Sequence, residues 1–502
     1  MKAASLGLAI LLSFVSSGLQ AVAAHRTPSK YAKCGPRIDA FMRSKKPADI
    51  RLRHEISDAP RQLQAAIRAL APEHLNLSTD IPRIPADQNA YPVYEKLPIF
   101  RETFPMPVLA HGYYQSEWDS IDKLSIVRAT IIANRAYFDT VSEALRRPRF
   151  QGYSPDDVFV AARQRAAARL LATKSYVLAR DGQPLEAVEC AKQIFGIASH
   201  AKQNGSVIAS LISEGIDALG FAAMRSVLFL CPDRADVAGK IDRILTALPE
   251  REAPQEVYLQ WEAAYYFDTL DEISTGKMGR ATRLRLEAVR HAIHRDDYEL
   301  LNGVGKERQL ADIDCELREN QTEKLIAALS PAQRIVWSNL FIQAKADYLE
   351  SLSRYVAYSK MTPLNRGQKK RRPAPVASAA ASKIEHIVRQ AGVANGATLD
   401  ALTFGFNAWN SDSAIDNRTR RNLTIAMARV FEASAKTGEF PVALALPTDP
   451  WGTGQLGYRR TSHGALVYSV SRTGKYDGTR TTDPMMRSYR VENSSVAVPN
   501  RR

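Results

Sequence analysis

At 502 residues the chain exceeds what one ordinary hydrophobic core supports, so several domains or one extended array are expected. Hydrophobic residues at 45% and charged residues at 24% are globular values that exclude wholesale disorder, collagen-like repeats and a polytopic membrane protein. The 68 Lys and Arg against 53 Asp and Glu leave a net charge of +15, which suits attraction to anionic surfaces.

Residues 1–24 read as an export signal: Lys2 is a short positive region, Leu6 to Val15 an apolar run, and Ala21-Val22-Ala23-Ala24 a small-residue cleavage region. A membrane anchor needs about 20 apolar residues, and this run is interrupted at Ser13, Ser16, Ser17 and Gly18. The first cysteine is Cys34, outside the cleavage region, so no lipoprotein anchor is expected. No later stretch has spanning length. The mature chain, from Ala24 or His25, is therefore expected to be soluble in the periplasm or cell envelope, and its basic runs are not nuclear addresses. In an oxidising compartment Cys34, Cys190, Cys231 and Cys315 can form two disulfides in any of three connectivities. The apolar setting of Cys190, between Val188 and Ile194, equally suits a buried thiol. No Cys-x-x-Cys pair supports a redox or zinc site.

Residues 25–110 divide into an N-terminal helix and a Pro-rich strap, where Pro82, Pro85, Pro92, Pro98, Pro105 and Pro107 forbid long helices and leave room for one short helix near Ala86 to Lys96. Residues 111–360 form a helical body rich in Ala, Leu, Arg, Glu and Gln. Its clearest unit is a hairpin: a helix from Asp156 to Ala179, a turn at Arg180-Asp181-Gly182-Gln183-Pro184, and a returning helix from Leu185 to Lys202. Gly182 suits the left-handed position after a helix end and Pro184 the first turn of the next helix. Helices from Ser206 to Phe229 and Ala235 to Leu248 continue the pattern, and others are expected at 255–273, 279–297, 306–329 and 331–358, the last opened by Ser330-Pro331. The hairpin resembles a tetratricopeptide unit in its Ala168, Ala172 rhythm and the Gln183 to Ala187 start of its second helix. Turns near 182, 205, 232 and 252 have no fixed period, so the expected architecture is an irregular helical solenoid or bundle.

Residues 361–383 form a basic, Pro/Ala-rich linker containing Lys369, Lys370, Arg371 and Arg372. From 369 to the end there are 20 Lys and Arg against 10 Asp and Glu, so +10 of the +15 lies there. Residues 384–484 read as a small α+β module. An amphipathic helix from Arg420 to Glu432, continuing into Ala435, ends at Gly438-Glu439-Phe440-Pro441. Leu446-Pro447-Thr448-Asp449-Pro450-Trp451 follows, then two alternating segments, Leu456 to Arg460 and Ala465 to Val470, joined as an antiparallel hairpin. Residues 485–502 are expected as a disordered tail.

Over 418–478 these residues resemble the C-terminal half of type II secretion pseudopilins, in which a helix ending in Gly-x-(Tyr/Phe)-Pro is followed by Leu-Pro-x-Asp-Pro-(Trp/Phe) and a hairpin. The whole layout, with Ile84-Pro85-Ala86-Asp87-Gln88-Asn89-Ala90 before the helices, is similar to uncharacterised exported bacterial proteins with a long Ala/Leu-rich helical region. The filament-forming hydrophobic N-terminal helix of pseudopilins has no counterpart behind a cleavable signal. Their calcium loop is here reduced to Asp477 and Asp483 beside Arg472, Lys475 and Arg480, too few oxygens for the ion.

Chemistry-bearing patterns are sparse. His291 and His294 share a helix face but are flanked by Arg290 and Arg295, which reads as a solvated face, and Gly303-Val304-Gly305 reads as a helix–helix turn rather than a phosphate loop. Gly-x-Ser-x-Gly, His-Glu-x-x-His and Walker-type motifs are absent, and so is the Glu-Ser-x-Phe context of lytic transglycosylases. No cofactor or metal is expected. The candidate binding residues are the aromatic stripe Tyr258, Trp261 and Tyr265, the run Lys369, Lys370, Arg371 and Arg372, and Trp451. The stripe suits a packed helix interface better than a ligand groove, and Trp451 suits an anchor for the hairpin better than a sugar contact. The expected function is a non-catalytic exported scaffold that binds an envelope protein or anionic polymer, with no nucleic-acid partner. The alternatives are a hydrolase or lyase acting on an envelope glycan or peptide, its acid or base a groove carboxylate, and an accessory role in a secretion apparatus.

Overall fold

A computed structural model of the chain describes residues 34–70, 83–97, 121–152, 158–204, 207–249, 255–275, Arg280, Arg283, Glu287, Arg290, 326–359, 378–391, 410–461, 464–470 and 495–499. In chain order the described elements are α1 (Cys34–Arg43), α2 (Pro47–Ala69), α3 (Tyr91–Glu95), α4 (Ile121–Ala133), α5 (Arg135–Arg146), α6 (Val158–Arg180), α7 (Pro184–Lys202) and α8 (Val207–Leu230). They continue with α9 (Ala235–Ala247), α10 (Gln255–Thr275), α11 (Pro331–Ser359), α12 (Ala379–Ala391), α13 (Asn410–Thr437), β1 (Gly457–Thr461), β2 (Gly464–Tyr468) and β3 (Ser495–Pro499). The fold is mainly α with a small antiparallel sheet near the C-terminal end.

The chain divides into two units, each discontinuous in sequence: 1–82, 253–360 and 371–408 form the first, and 83–252, 361–370 and 409–502 the second. The expected helical body 111–360 is thus split near residue 252, and α12, expected at the head of the C-terminal module, belongs to the first unit. The reason is apolar burial: Ile384, Ile387 and Val388 of α12 share a core with Trp337, Leu340 and Phe341 of α11.

In the first unit α11 is the organising helix. Its 29 residues span about 43 Å, and it opens with a reciprocal capping box. The Gln333 N–H donates to Ser330 Oγ at 3.3 Å and the Ser330 N–H to Gln333 Oε1 at 2.9 Å. Gln333 Nε2 also donates to Asp39 of α1 at 3.0 Å. One face of α11, through Trp337, Phe341, Ala344 and Leu352, meets Ile38 and Phe41 of α1, Leu52 and Ile56 of α2 and Leu270 of α10 in a single core. Lys383 of α12 pairs with Asp49 in the first turn of α2 at 2.5 Å and lies over the Phe41 ring. Burial opposes ionisation of Asp49, but the hydrogen bonds from Lys383 and Ser44 outweigh it and hold the carboxyl below its usual range. Arg280, Arg283, Glu287 and Arg290 are helical, and the three arginines are exposed.

In the second unit α6, α7 and α8 pack as consecutive neighbours. The α6 end is a Schellman turn: Gly182 has φ +77°, its N–H donates to Ala179 O at 3.3 Å, and the Gln183 N–H reaches Leu178 O at 2.9 Å. Pro184 then opens α7. The core runs through Leu171 of α6, Ile194 and Phe195 of α7, Ile216 and Met224 of α8 and Ile241 of α9, and α13 completes it with Leu423, Met427 and Val430. Helix α13 starts ten residues earlier than the amphipathic pattern from Arg420 suggests, because Ile415 and Thr419 are also buried. Close approach of α7 and α8 requires Gly220: a Cβ there would lie 2.6 Å from the Phe195 ring.

The strap is fastened by polar groups. Asn89 Nδ2 donates to Gln151 O and its Oδ1 accepts the Gln151 N–H, both at 2.9 Å, while the Ala90 N–H donates to Arg149 O at 2.8 Å. Among its described residues α3 is the one short helix. Tyr94 of α3 meets buried His200 of α7, with 3.1 Å between its hydroxyl and Nδ1, and His200 Nε2 lies 2.8 Å from Arg147 O. Because a carbonyl only accepts, Nε2 carries the proton and Nδ1 accepts from the tyrosine.

The C-terminal module is knotted at Asp449. Its Oδ1 accepts from the Trp451 N–H at 3.0 Å and Ser469 Oγ at 2.7 Å, and its Oδ2 accepts from the Val470 N–H at 2.7 Å. Strands β1 and β2 pair antiparallel with Tyr458 opposite Val467. Residues 495–499, expected within a disordered tail, instead form β3 on the free edge of β2, Val498 opposite Ala465 and Val496 opposite Val467. Alternating valines suit that edge, whose N–H and C=O groups need partners. Cys34, Cys190 and Cys231 are free thiols, so the two-disulfide arrangement is not formed; Cys315 lies outside the described residues. Cys190 donates to Leu171 O at 3.3 Å, and burial pushes its thiol up to about 12.

Two glycines on α8 provide a paired test. Gly220→Ala forces a Cβ into Phe195 and is expected to lower the unfolding free energy by about 1–3 kcal/mol. Gly215→Ala, where nothing lies within 4 Å, should raise it by about 0.5–1 kcal/mol. Urea unfolding of both variants, followed by circular dichroism, measures the difference.

Candidate functional site

The described residues among those singled out from the sequence fall in different units. Tyr258 and Trp261 lie in the first two turns of α10. Tyr265 is half-buried, while its neighbours Tyr266 and Phe267 are in the core of the first unit. Trp451 belongs to the second unit and is not a surface residue: it is 3% exposed, and its indole N–H donates to Asp416 Oδ1 at 3.2 Å. The hydrogen bonds at Asp449 turn this ring inward, so it anchors the module onto α13. Lys369, Lys370, Arg371 and Arg372 lie outside the described residues, as do His291, His294, Gly303, Gly305, Asp477 and Asp483. Among the described residues no group of three or more His, Cys, Asp and Glu side chains is placed to hold a metal ion.

A different set of residues lines a recess in the second unit. Lys202 ends α7, Ser213, Glu214, Asp217 and Phe221 follow one face of α8, Leu248 and Pro249 come after α9, and Ala414, Asn417, Arg418 and Arg421 belong to α13. The spacing of three and four residues on α8 and α13 aligns each set on one helix face. Ser213 Oγ donates to Ala198 O of α7 at 2.8 Å, which holds α8 against α7 at this depth. Arg421 holds the opposite wall by capping α9: its guanidinium donates to Leu245 O at 2.9 Å, Leu248 O at 2.8 Å and Thr246 O at 3.2 Å. The recess is open to solvent on one side and has a volume of about 80 Å³. Several waters or one small functional group fit there, but not a drug-sized molecule.

Glu214 is the unusual member. Its Oε2 is sealed from solvent and has no hydrogen-bond partner. Burial pushes the carboxyl up to about 8, Asp217 and Asp416 push the same way, and Lys202 and Arg420 only partly counter them. At neutral pH Glu214 is therefore mostly the neutral acid, a hydrogen-bond donor surrounded by cations. Such a group can donate to an anionic oxygen or deliver a proton. The sequence holds one signal for it: α8 is the most apolar of the long helices, and Ser213, Glu214 and Asp217 interrupt that run on one face.

Folding raises the Glu214 pKa from 4.5 to about 8, so between these values the native state binds more protons than the unfolded chain. Stability from this group is therefore complete below pH 4.5 and is lost as pH rises toward 8, by an amount on the order of 5 kcal/mol. Glu214→Gln should abolish that slope and be more stable than wild type at pH 8.5, as read from urea midpoints across pH 5–9. Compared with protein-family models, with curated proteins and with solved structures, the chain matches none.

Proposed function

We propose that the protein is an exported, non-catalytic helical binding protein of the cell envelope, and that the recess between α7, α8 and α13 receives a group from an envelope protein or anionic polymer. One observation carries this reading: a recess on the second unit, open to solvent on one side, is lined by Lys202, Arg418 and Arg421 beside Glu214 and Asp217. Export and a place in the periplasm follow from the signal-like residues 1–24.

A second reading, a hydrolase or lyase of an envelope glycan or peptide, is favoured by the elevated Glu214 pKa, which suits a general acid at neutral pH. The two readings differ in what Glu214→Gln removes. A photo-crosslinking residue at Leu248, on the recess wall, is expected to form an adduct with an envelope component, whereas one at Val442, which is 83% exposed, is not. Equal adducts at both positions, or none, would overturn the binding reading. Turnover of isolated cell-wall polymer by wild type that disappears in Glu214→Gln would replace it with the enzyme.

A further inference from the structure

We propose that His200 is an acid-sensitive latch on the strap: closed while its ring carries one proton, it releases residues 83–97 when the ring takes a second. The inference does not depend on what the recess binds.

The latch is built from the two nitrogens of one buried ring. Nε2 donates to Arg147 O at 2.8 Å and Nδ1 accepts from the Tyr94 hydroxyl at 3.1 Å, so only the neutral tautomer satisfies both bonds. Each bond leads to the strap. Tyr94 belongs to α3, while the same Arg147 whose carbonyl is used sends its guanidinium to Ala86 O at 2.7 Å and Asn89 O at 3.0 Å. The imidazole is stacked on Phe150, with 6.3 Å between centroids and 22° between planes, and Phe150 meets Tyr91 and Tyr94 edge-on. Turning the ring toward a new acceptor therefore disturbs the aromatic packing beneath the strap.

A second proton has no place in this arrangement. It goes on Nδ1, where it points at a phenol that is itself donating. If the phenol reverses to accept, its own hydrogen is orphaned, because Tyr94 is fully buried and its hydroxyl has no other partner among the described residues. Burial pushes the Tyr94 and Tyr137 hydroxyls well above the usual tyrosine range, so neither offers a phenolate as counter-ion.

The charged groups on the packed elements do not change this. Arg163 of α6 donates to Tyr94 O and Glu95 O, and Glu143 of α5 faces the Arg147 guanidinium. On α8, Glu214 and Asp217 share the recess with Lys202, and Lys240 of α9 pairs with Glu189 in the first half of α7. Nδ1 has one in-plane lone pair and the Tyr94 oxygen occupies its direction, so a carboxylate reaches it only by displacing Tyr94. The carbonyl end of α7 favours a cation, but the ring stays on α7 whether the strap is closed or released, and that attraction cancels.

The released ring takes its second proton at the ordinary histidine value of about 6.5 and the closed ring does not, so the closed state loses ground as pH falls through that value. Between pH 7.5 and pH 5.5, where ordinary carboxylates keep their charge, the opening equilibrium should rise about tenfold. Hydrogen exchange of the full chain, corrected for the intrinsic rate at each pH, reads this at the Ala90 amide, which bonds Arg149 O. The Leu456 amide, bonded to Pro447 O in the C-terminal module, is the reference. Protection at Ala90 is expected to fall about tenfold while that at Leu456 does not fall. In His200→Gln, which can still donate and accept but does not titrate, the drop should vanish. Carbon-13 labelling of histidine in the wild type gives a readout that needs no variant: the His200 ring should take its second proton only in step with the loss at Ala90. Unchanged protection at Ala90, an equal loss at Leu456, a drop that persists in His200→Gln, or a doubly protonated ring under a protected strap would each overturn the inference.

Discussion

The second unit depends on the two faces of α13. One face, through Leu423, Met427 and Val430, closes a core that α6, α7 and α8 begin more than two hundred residues earlier in the chain. The other carries Asn417, Arg418 and Arg421 against Glu214 and Asp217 of α8. Apolar burial therefore sets the distance at which the charged groups meet, and the charged groups do not choose it. Arg421 shows the coupling directly, since the guanidinium that lines the recess also caps α9 and keeps Leu248 and Pro249 in the wall.

Elsewhere several buried polar groups act as ties between segments. Asn89 clasps the strap to residue 151, His200 is held between the Tyr94 hydroxyl and the Arg147 carbonyl, and Asp449 gathers Trp451, Ser469 and Val470 into one knot. In the first unit Asp49 and Lys383 join α2 to α12 across more than three hundred residues of sequence. Directional bonds of this kind specify one arrangement where apolar contact alone tolerates several. Glu214 Oε2 is one of several buried side-chain atoms without a hydrogen-bond partner, Gln164 Nε2, Trp337 Nε1, Gln343 Oε1 and Ser434 Oγ being others, and is set apart by the recess its residue lines.

The asparagine and aspartate ties also account for residues that the sequence marks as part of a family-like layout. Ile84 to Ala90 is a clasp, and Leu446 to Trp451 is a turn whose aspartate binds backbone and whose tryptophan packs inward. Both stretches serve the scaffold, so their presence speaks to how the chain is held together and less to what it binds. The candidate binding chemistry lies instead on α8 and α13.

Much of the local structure was legible in the sequence, because its causes act over a few residues. Gly182 and Pro184 announce the hairpin turn, Ser330-Pro331 with Gln333 announces the start of α11, Gly438 ends α13 at φ +80°, and the alternation across Gly457 to Tyr468 announces β1 and β2. Partnership between distant segments was not legible. An amphipathic helix advertises an apolar face but not the helix that will cover it, so only the tertiary structure assigns α12 to the first unit, β3 to the edge of β2, and Trp451 to the interior. Glu214 follows the same rule. Its residue type is written in the sequence, but its proton affinity is a property of the burial and the neighbouring charges that folding brings around it.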